Sequence, residues 1–306
     1  MTETAVGWTA TSVNDNDSTD TDGDSFTLDR VPLLDGGITF TNARDTYDVT
    51  VTNQVAPDPY GDKTKPFTYT ATLWDGDTQV VFPSTITDVT FTNGRKNMTF
   101  TLKHEQEYII KNLPGGYKLV VTQTMDADYE TESTGKQISD NTAITDGDTV
   151  NDNIFIITVI GTDAQIEFVN TLKKGQYTIT KHVQLDSGQI IPDNTTFVFT
   201  ARLLKTAGSQ SFEEINAELK TAVEAAGATV TDTDADGKYD AILFNFTHGG
   251  AVDLTSVAGA EITLPGLPVG HFLQVTETAP GYAAYINNIS PVPGSVYGSG
   301  GYGGCG

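Results

Sequence analysis

The chain has one cysteine, Cys305, few basic residues and no long apolar run. A single cysteine excludes any disulfide within the chain. Seventeen lysines and arginines face forty aspartates and glutamates, for a formal net charge of −23. That sign repels nucleic-acid phosphates and anionic membrane surfaces, and its simplest consequence is solubility. The longest apolar run, Ile154 to Ile160, is far short of the ~20 residues needed to cross a bilayer, so no membrane insertion is expected. Residues 1–25 are polar and acidic, without the charged-then-apolar pattern of a secretion signal. Either a signal was removed ahead of this numbering or the protein leaves its cell another way. The C-terminal Gly-Tyr-Gly-Gly-Cys-Gly carries neither a hydrophobic tail nor a sortase-type motif. His104, His182, His248 and His271 are scattered, without metal-ligand spacing. With no nucleophile elbow, phosphate loop or dinucleotide fingerprint either, an enzyme acting on external substrates is unsupported.

What is present is short alternating runs punctuated by turn residues. A chain of 306 residues with 38% apolar content fits about two domains with cores of their own. From Tyr47 onward, strands are expected at Val49–Val55 (with a slight irregularity near Gln54), Phe67–Leu73, Val89–Phe91, Met98–Leu102, Tyr108–Ile110, Tyr117–Gln123, Ile154–Ile160 and Ile166–Asn170. Many short strands with regular turns indicate an all-β sandwich or barrel. A second unit begins at Tyr177 and repeats the first in order. Phe197-Val198-Phe199-Thr200-Ala201 matches Phe67-Thr68-Tyr69-Thr70-Ala71. The turn Gly266-Leu267-Pro268-Val269-Gly270 matches Asn112-Leu113-Pro114-Gly115-Gly116, and Leu273–Thr278 matches Leu119–Thr124. The second unit also carries an insertion. Ser211-Phe212-Glu213-Glu214 has a capping-box pattern, and Phe212, Ile215, Leu219 and Val223 fall at helical spacing. A helix is therefore expected from there to about Ala226, stopped by Gly227.

The repeat is incomplete at one end and has a surplus at the other. Ile166-Glu167-Phe168-Val169-Asn170 closes the first unit, whereas after Tyr282 the second has only residues 283–306, rich in Gly, Ser and Tyr, without a Phe-x-Asn strand. The missing strand has a counterpart near the N-terminus, Ile38-Thr39-Phe40-Thr41-Asn42, with too few residues before it to form a domain. The expected organisation is donor strands at 1–45, a first sandwich at 46–172, an incomplete second sandwich at 173–290 and a tail at 291–306.

One residue is out of place in a sandwich interior. Lys181 shares the inward register of Tyr177 and Ile179, and a charged lysine there is costly to bury. An edge position or a shifted register is the plain explanation. The pattern also resembles the collagen-adhesin B-type (CnaB) and related pilin domains of Gram-positive surface proteins. The resemblance rests on Tyr177-Thr178-Ile179-Thr180-Lys181, the Leu-Pro-x-Gly turn at Leu267–Gly270, Val275-Thr276-Glu277-Thr278 and the Phe-x-Asn strands ending at Asn42 and Asn170. It covers most of residues 38–285.

That resemblance implies tandem Ig-like sandwiches and spontaneous Lys–Asn isopeptide bonds. In such chemistry burial drives the lysine neutral and nucleophilic, while a nearby protonated carboxyl hydrogen-bonds the asparagine amide and relays protons. The amine attacks the amide, ammonia leaves, and the dry core supplies proximity. By position, the resemblance makes Lys181 the nucleophile and Glu277 the catalytic acid, with no asparagine left in that unit. In the first unit the matching positions are Asn53, Gln123 and Asn170, so the fold is expected without the bond, with a buried hydrogen-bond network as the alternative.

Asn42 then completes the set. The first and last strands of such sandwiches leave at opposite ends, so Asn42 is expected to serve the second unit of a neighbouring chain, assembling identical subunits head to tail into an extracellular filament, a pilus or a cell- or spore-surface appendage. Met1 and the Gly-rich tail read as natural ends. Two alternatives stand beside this: a fragment of a longer tandem array, such as an adhesin stalk binding a host ligand, and a closed monomer. No cofactor is expected apart from calcium. Asp232, Asp234, Asp236 and Asp240 have calcium-loop spacing around Gly237 but no glutamate at the twelfth position, Leu243, and a solvated acidic turn is the alternative. The acidic run Asn14–Asp24 is a weaker candidate of the same kind. Cys305 is a candidate for an intermolecular disulfide or belongs to a disordered end.

Overall fold

The computed structural model describes residues 8–14, 19–20, 26–27 and 38–278, apart from residues 146, 148–150, 210 and 257, with side chains from residue 44 onward. The chain divides at Thr171/Leu172 into two compact units. The first opens with β1 (Trp8–Asn14), the short pair β2 (Thr19–Asp20) and β3 (Phe26–Thr27), and β4 (Ile38–Arg44). β1 and β4 pair antiparallel, with Asn42 opposite Ala10, and form a two-stranded sheet of their own.

A sandwich follows: β5 (Thr46–Val55), β6 (Phe67–Asp75), β7 (Thr78–Val80), β8 (Thr90–Thr92), β9 (Asn97–Leu102), β10 (Gln106–Pro114), β11 (Lys118–Gln123), β12 (Tyr129–Gln137), β13 (Ile154–Ile157) and β14 (Ala164–Leu172). One sheet has the order β10-β5-β14-β12; the other runs β13-β11-β6-β9-β8, with β7 on β6. Alternation builds the core. Val49, Val51 and Val55 of β5, Phe67, Tyr69, Ala71 and Leu73 of β6, Leu119 and Val121 of β11, and Ile166 and Phe168 of β14 are all buried. Rings from the two sheets meet where Tyr69 contacts Phe168, centroids 5.1 Å apart, and Tyr69 stacks on Phe100 at 5.4 Å. The first and last strands, β5 and β14, are parallel neighbours, with Ala164 opposite Val49 and Asn170 opposite Val55.

The second unit contains β15 (Lys174–Lys181), β16 (Thr196–Leu204), α1 (Ala217–Ala225), β17 (Thr229–Thr231), β18 (Ala241–Thr247), β19 (Ala260–Pro268) and β20 (Phe272–Thr278). Its sheets are β15-β19 and β17-β18-β16-β20. Placed on the first unit, they correspond to β5-β10 and β8-β9-β6-β11. Among the described residues, nothing stands in the places of β12, β13 and β14. The consequence is visible in burial. Leu119, Val121 and Gln123 on β11 are fully buried, whereas Leu273, Val275 and Glu277 on β20 are only half-buried, and Tyr177 on β15 is 40% exposed.

Several local expectations need correction. The helix begins at Ala217 rather than after Ser211, because Asn216 is the cap that accepts from Leu219 N at 2.7 Å. Upstream, Glu213 and Ile215 spend their backbone N–H groups on Leu203 and Tyr239 carbonyls instead. Its end at Ala225, with Gly227 at φ +93°, is as expected. β5 has no irregularity near Gln54: Asn53 takes the inward position between Val51 and Val55. β13 stops at Ile157, short of Ile160. β12 lacks an apolar signature because its inward positions include Thr131, Ser133 and Gly135. A Cβ on Gly135 would sit 2.3 Å from Phe155 Cζ, so the glycine makes room for that ring. β17, β18 and β19 are further strands that the sequence pattern left unassigned.

Candidate isopeptide site

In the second unit, β15 carries Lys181 at its C-terminal end and β20 carries Glu277 opposite Phe199 of β16. The Lys181 Nζ donates to Glu277 Oε1 at 2.6 Å, with side chains 12% and 14% exposed. The same ammonium lies 4.2 Å from the centre of the Phe197 ring, a cation–π contact on its apolar side. An amine and a carboxyl are therefore in contact over an aromatic floor, beside a sheet edge that no described strand covers. The chemistry lacks one component, a carboxamide. Asn42 is placed only by its backbone in β4, opposite Ala10.

The first unit has the corresponding positions filled by neutral groups, all wholly buried: Asn53, Gln123 and Asn170. Asn170 Nδ2 donates to Asn53 Oδ1 at 2.7 Å and approaches Gln123 Oε1 at 3.2 Å. Gln123 Nε2 donates to Asn170 Oδ1 at 2.5 Å and to Thr131 Oγ1 at 2.8 Å, and the Thr131 hydroxyl donates to Asn170 Oδ1 at 2.8 Å. The Tyr69 hydroxyl lies 2.7 Å from Asn53 Oδ1 and 2.8 Å from Gln123 Oε1, with one hydrogen for the two acceptors. Asn53 Nδ2 is the one member atom buried without a hydrogen-bond partner. Burial pushes the Tyr69 phenol far above its ordinary range, against a smaller opposite pull from Asn170. The site thus holds amides and a phenol but no amine nucleophile and no carboxyl.

Sequence reasoning missed Tyr69 and Thr131. The signal for Tyr69 was present in the repeat: it matches Phe199, and the added hydroxyl accompanies the change from Lys181 and Glu277 to Asn53 and Gln123. Thr131 gave none, since β12 was unassigned.

Asp232, Asp234 and Asp236 bring carboxylate oxygens within 4.8 Å of one another. Asp240 is not part of that group, because Thr233 occupies its carboxylate through both its backbone N–H and its hydroxyl. The loop also spends carboxylate oxygens on itself: Asp232 accepts from Ala235 N at 2.7 Å and from Gly237 N at 2.8 Å. Three exposed or half-exposed carboxylates fit only part of a calcium shell of six to eight oxygens. Cys305 lies outside the described residues.

A family described as a Domain of unknown function (DUF7601) matches residues 47–156. The chain is 35% identical over 97 residues to the pilus tip adhesin Cpa of Streptococcus pyogenes, a match that spans 31% of this chain and 13% of that relative. It therefore spans about an eighth of the length of the curated relative it matches. Among solved structures, the pilus-presented adhesin Cpa is similar over 42% of this chain and 27% of its own, at 22% identity and a TM-score of 0.31. A major pilin of Streptococcus pyogenes is similar over 56% of this chain and 65% of its own, at 17% identity and a TM-score of 0.35.

Proposed function

We propose that this chain is a structural subunit of an extracellular, cell-surface filament. Subunits join when the N-terminal strands of one complete the second unit of the next and Lys181 bonds to Asn42. One observation carries this reading: the Lys181–Glu277 pair sits beside the uncovered edge of β15, and in the first unit the matching edge of β5 holds β14 with its Phe168-Val169-Asn170. The donor is built to the same plan. Asn42 precedes Asn53 by eleven residues, as Asn170 precedes Lys181, and a single residue separates β4 from β5 as it does β14 from β15. In the first unit Asn170 lies opposite Val55, two residues beyond Asn53. The same parallel register on β15 would set Asn42 opposite Val183, two beyond Lys181. β1, paired with β4, would take the place of β12.

The chemistry follows from completing the sandwich. The arriving strands exclude water from a pair that is still slightly exposed and hold the amide against the amine. The neutral amine forms a bond from Nζ to the Asn42 Cγ while the Cγ–Nδ2 bond breaks. Glu277 carries the proton from the amine to the departing nitrogen, which leaves as ammonia. No oxidant, metal or external catalyst enters the balance. The contact is heterologous, so it propagates as an open filament of identical subunits wherever its rotation does not close into a ring. The relative named as a pilus tip adhesin supports a surface location and lends nothing to a spore surface.

The test is to boil purified filaments in denaturant and resolve them on a gel. A covalent ladder that collapses in Lys181→Ala and in Asn42→Ala is the expected result, and wild-type material that runs entirely as monomer would sink the reading. A second reading, a ligand-binding or stalk module of a surface adhesin, rests on the identity to a pilus tip adhesin. A host-ligand binding screen on the purified chain separates it from a pure scaffold.

A further inference from the structure

We infer that the first unit is the extensible element of the filament, a reversible spring in a line of otherwise covalent links. The inference rests on the Lys181–Asn42 junction proposed above. With that bond in place, tension enters a subunit at Asn42, runs into β5, leaves through β14 and passes from Asn170 to Lys181, then across the isopeptide bond to the next Asn42. The strands of the second unit after Lys181 lie off this path. The stretches from Asn42 to Asn53 and from Asn170 to Lys181 are eleven residues each and continuous main chain. The first unit is then the only folded body in the path that no side-chain covalent bond bridges.

Its topology sets how it bears load. β5 and β14 are parallel neighbours in register from Val49/Ala164 to Val55/Asn170. Pulling the start of β5 against the end of β14 slides the strands along each other, so their hydrogen bonds are strained together rather than one after another. Further contacts cross the same seam: Ala56 N donates to the Asn170 carbonyl at 2.9 Å, Asp48 N to Asp163 Oδ1 at 2.8 Å, and the Thr52 hydroxyl to the Ile166 carbonyl at 3.3 Å. Where an isopeptide bond would tie the two strands permanently, the Asn170–Asn53 hydrogen bond ties them at 2.7 Å, braced by Gln123, Tyr69 and Thr131.

Three positions differ together between the units: Asn53, Gln123 and Tyr69 against Lys181, Glu277 and Phe199. The first set makes a tie that can break and re-form. The second permits one that cannot. A filament built this way would lengthen when the first unit opens and shorten when it refolds, with its subunits never parting.

The experiment is to stretch single wild-type filaments between beads, alongside a boiled-gel assay of the same preparation. Opening of the first unit frees the 127 residues from Thr46 to Leu172, at ~3.5 Å each, or roughly 440 Å per subunit before subtracting the folded length. The expected record is a series of such steps that reverse on relaxation. Filaments carrying Asn53→Lys, Gln123→Glu and Tyr69→Phe together should lose the mass of one ammonia more per subunit and lose the steps. Asn170→Ala should keep the step length and lower the opening force, which keeps the inference testable if the triple variant fails to fold. Filaments that retain the boiling-resistant ladder yet break without lengthening overturn the spring alone. Filaments that part at the junctions and boil to monomers overturn the junction, and the load path with it.

Discussion

The side-chain amide of Asn170 donates to Asn53 Oδ1 at 2.7 Å across two parallel strands, with both side chains wholly buried. At the matching point of the second unit stands Lys181, with Glu277 in contact, β19 on one side and no described strand on the other. One fold therefore presents the matching positions in two chemical forms, neutral amides tied across two strands in the first unit and an amine–carboxyl pair in the second. The completed form in the first unit is the template for what the second unit lacks.

Asn170→Ala tests how much that tie holds. It leaves Asn53, Gln123 and Thr131 each short of a partner in a dry core. The expected cost to the first unit is about 3 kcal/mol, since a stranded buried group costs about 1–3 kcal/mol and each of the three, keeping one other partner, falls at the low end of that range. Thermal or denaturant unfolding measures it. A loss below about 0.5 kcal/mol would mean that the network contributes no more than surface polar contacts do.

Tyr69 makes the same network sensitive to alkali. Its phenol is held far above the ordinary value by burial, so the folded form keeps its proton when the unfolded form, near pH 10, begins to lose it. The sign is that of a raised folded pKa: the stability contribution is complete below about pH 10 and is lost as pH rises beyond it. Tyr108 and Tyr129 shift the same way, mainly through burial. Tyr69→Phe should thus reduce the steepness of alkaline destabilisation without removing it, and cost about 1 kcal/mol at neutral pH for the lost hydrogen bond. Unfolding curves from pH 8 to 11 would decide, and an unchanged slope would contradict the assignment.

Glu277→Gln keeps the size and a hydrogen-bonding group beside Lys181 but removes the proton carrier. The ladder should form more slowly by about 100-fold or more, the range for a positioned proton-transfer group. A time course of boiled samples reads this directly. Wild-type kinetics in the variant would remove Glu277 from the chemistry while leaving its structural contact with Lys181 intact.

Asn216→Ala should destabilise the second unit by about 1 kcal/mol, because Asn216 Oδ1 satisfies the Leu219 N–H at the start of α1. Ser211→Ala should change stability little, as its hydroxyl contacts only Ser209 in an exposed turn. The pair of measurements distinguishes the observed cap from the capping-box pattern upstream.

That pair also shows where the sequence was readable. Glu277, Asn53, Gln123 and Asn170 were singled out through the family resemblance, whereas the sandwich class, the repeat, the helix stop at Gly227 and the inward register of Lys181 followed from alternation and from the order of matched runs. The helix start did not, because Ser-x-x-Glu competes with the needs of the neighbouring strands: Glu213 N bonds the Leu203 carbonyl. β12 did not either, because its inward face is built of small and hydroxyl residues that leave room for Phe155 and reach Asn170. Periodicity detects apolar faces, and a strand that packs through Thr131 and Gly135 offers none.

Two variants, mixed, separate assembly between chains from closure within one. Asn42→Ala keeps the Lys181–Glu277 acceptor but has no amide to donate. Lys181→Ala keeps the donor but has no amine. Each alone should stay monomeric after boiling. If the junction joins different chains, mixing them should give covalent dimers and nothing larger, because each dimer uses the one competent donor and the one competent acceptor present. Intact mass of that dimer should equal the two chains less one ammonia. If each chain instead closes on itself, the mixture yields no dimer, and wild-type monomer shows the ammonia loss alone. The dimer also fixes direction: peptide mapping should find Lys181 of the Asn42→Ala chain joined to Asn42 of the Lys181→Ala chain, the head-to-tail polarity that an open filament requires.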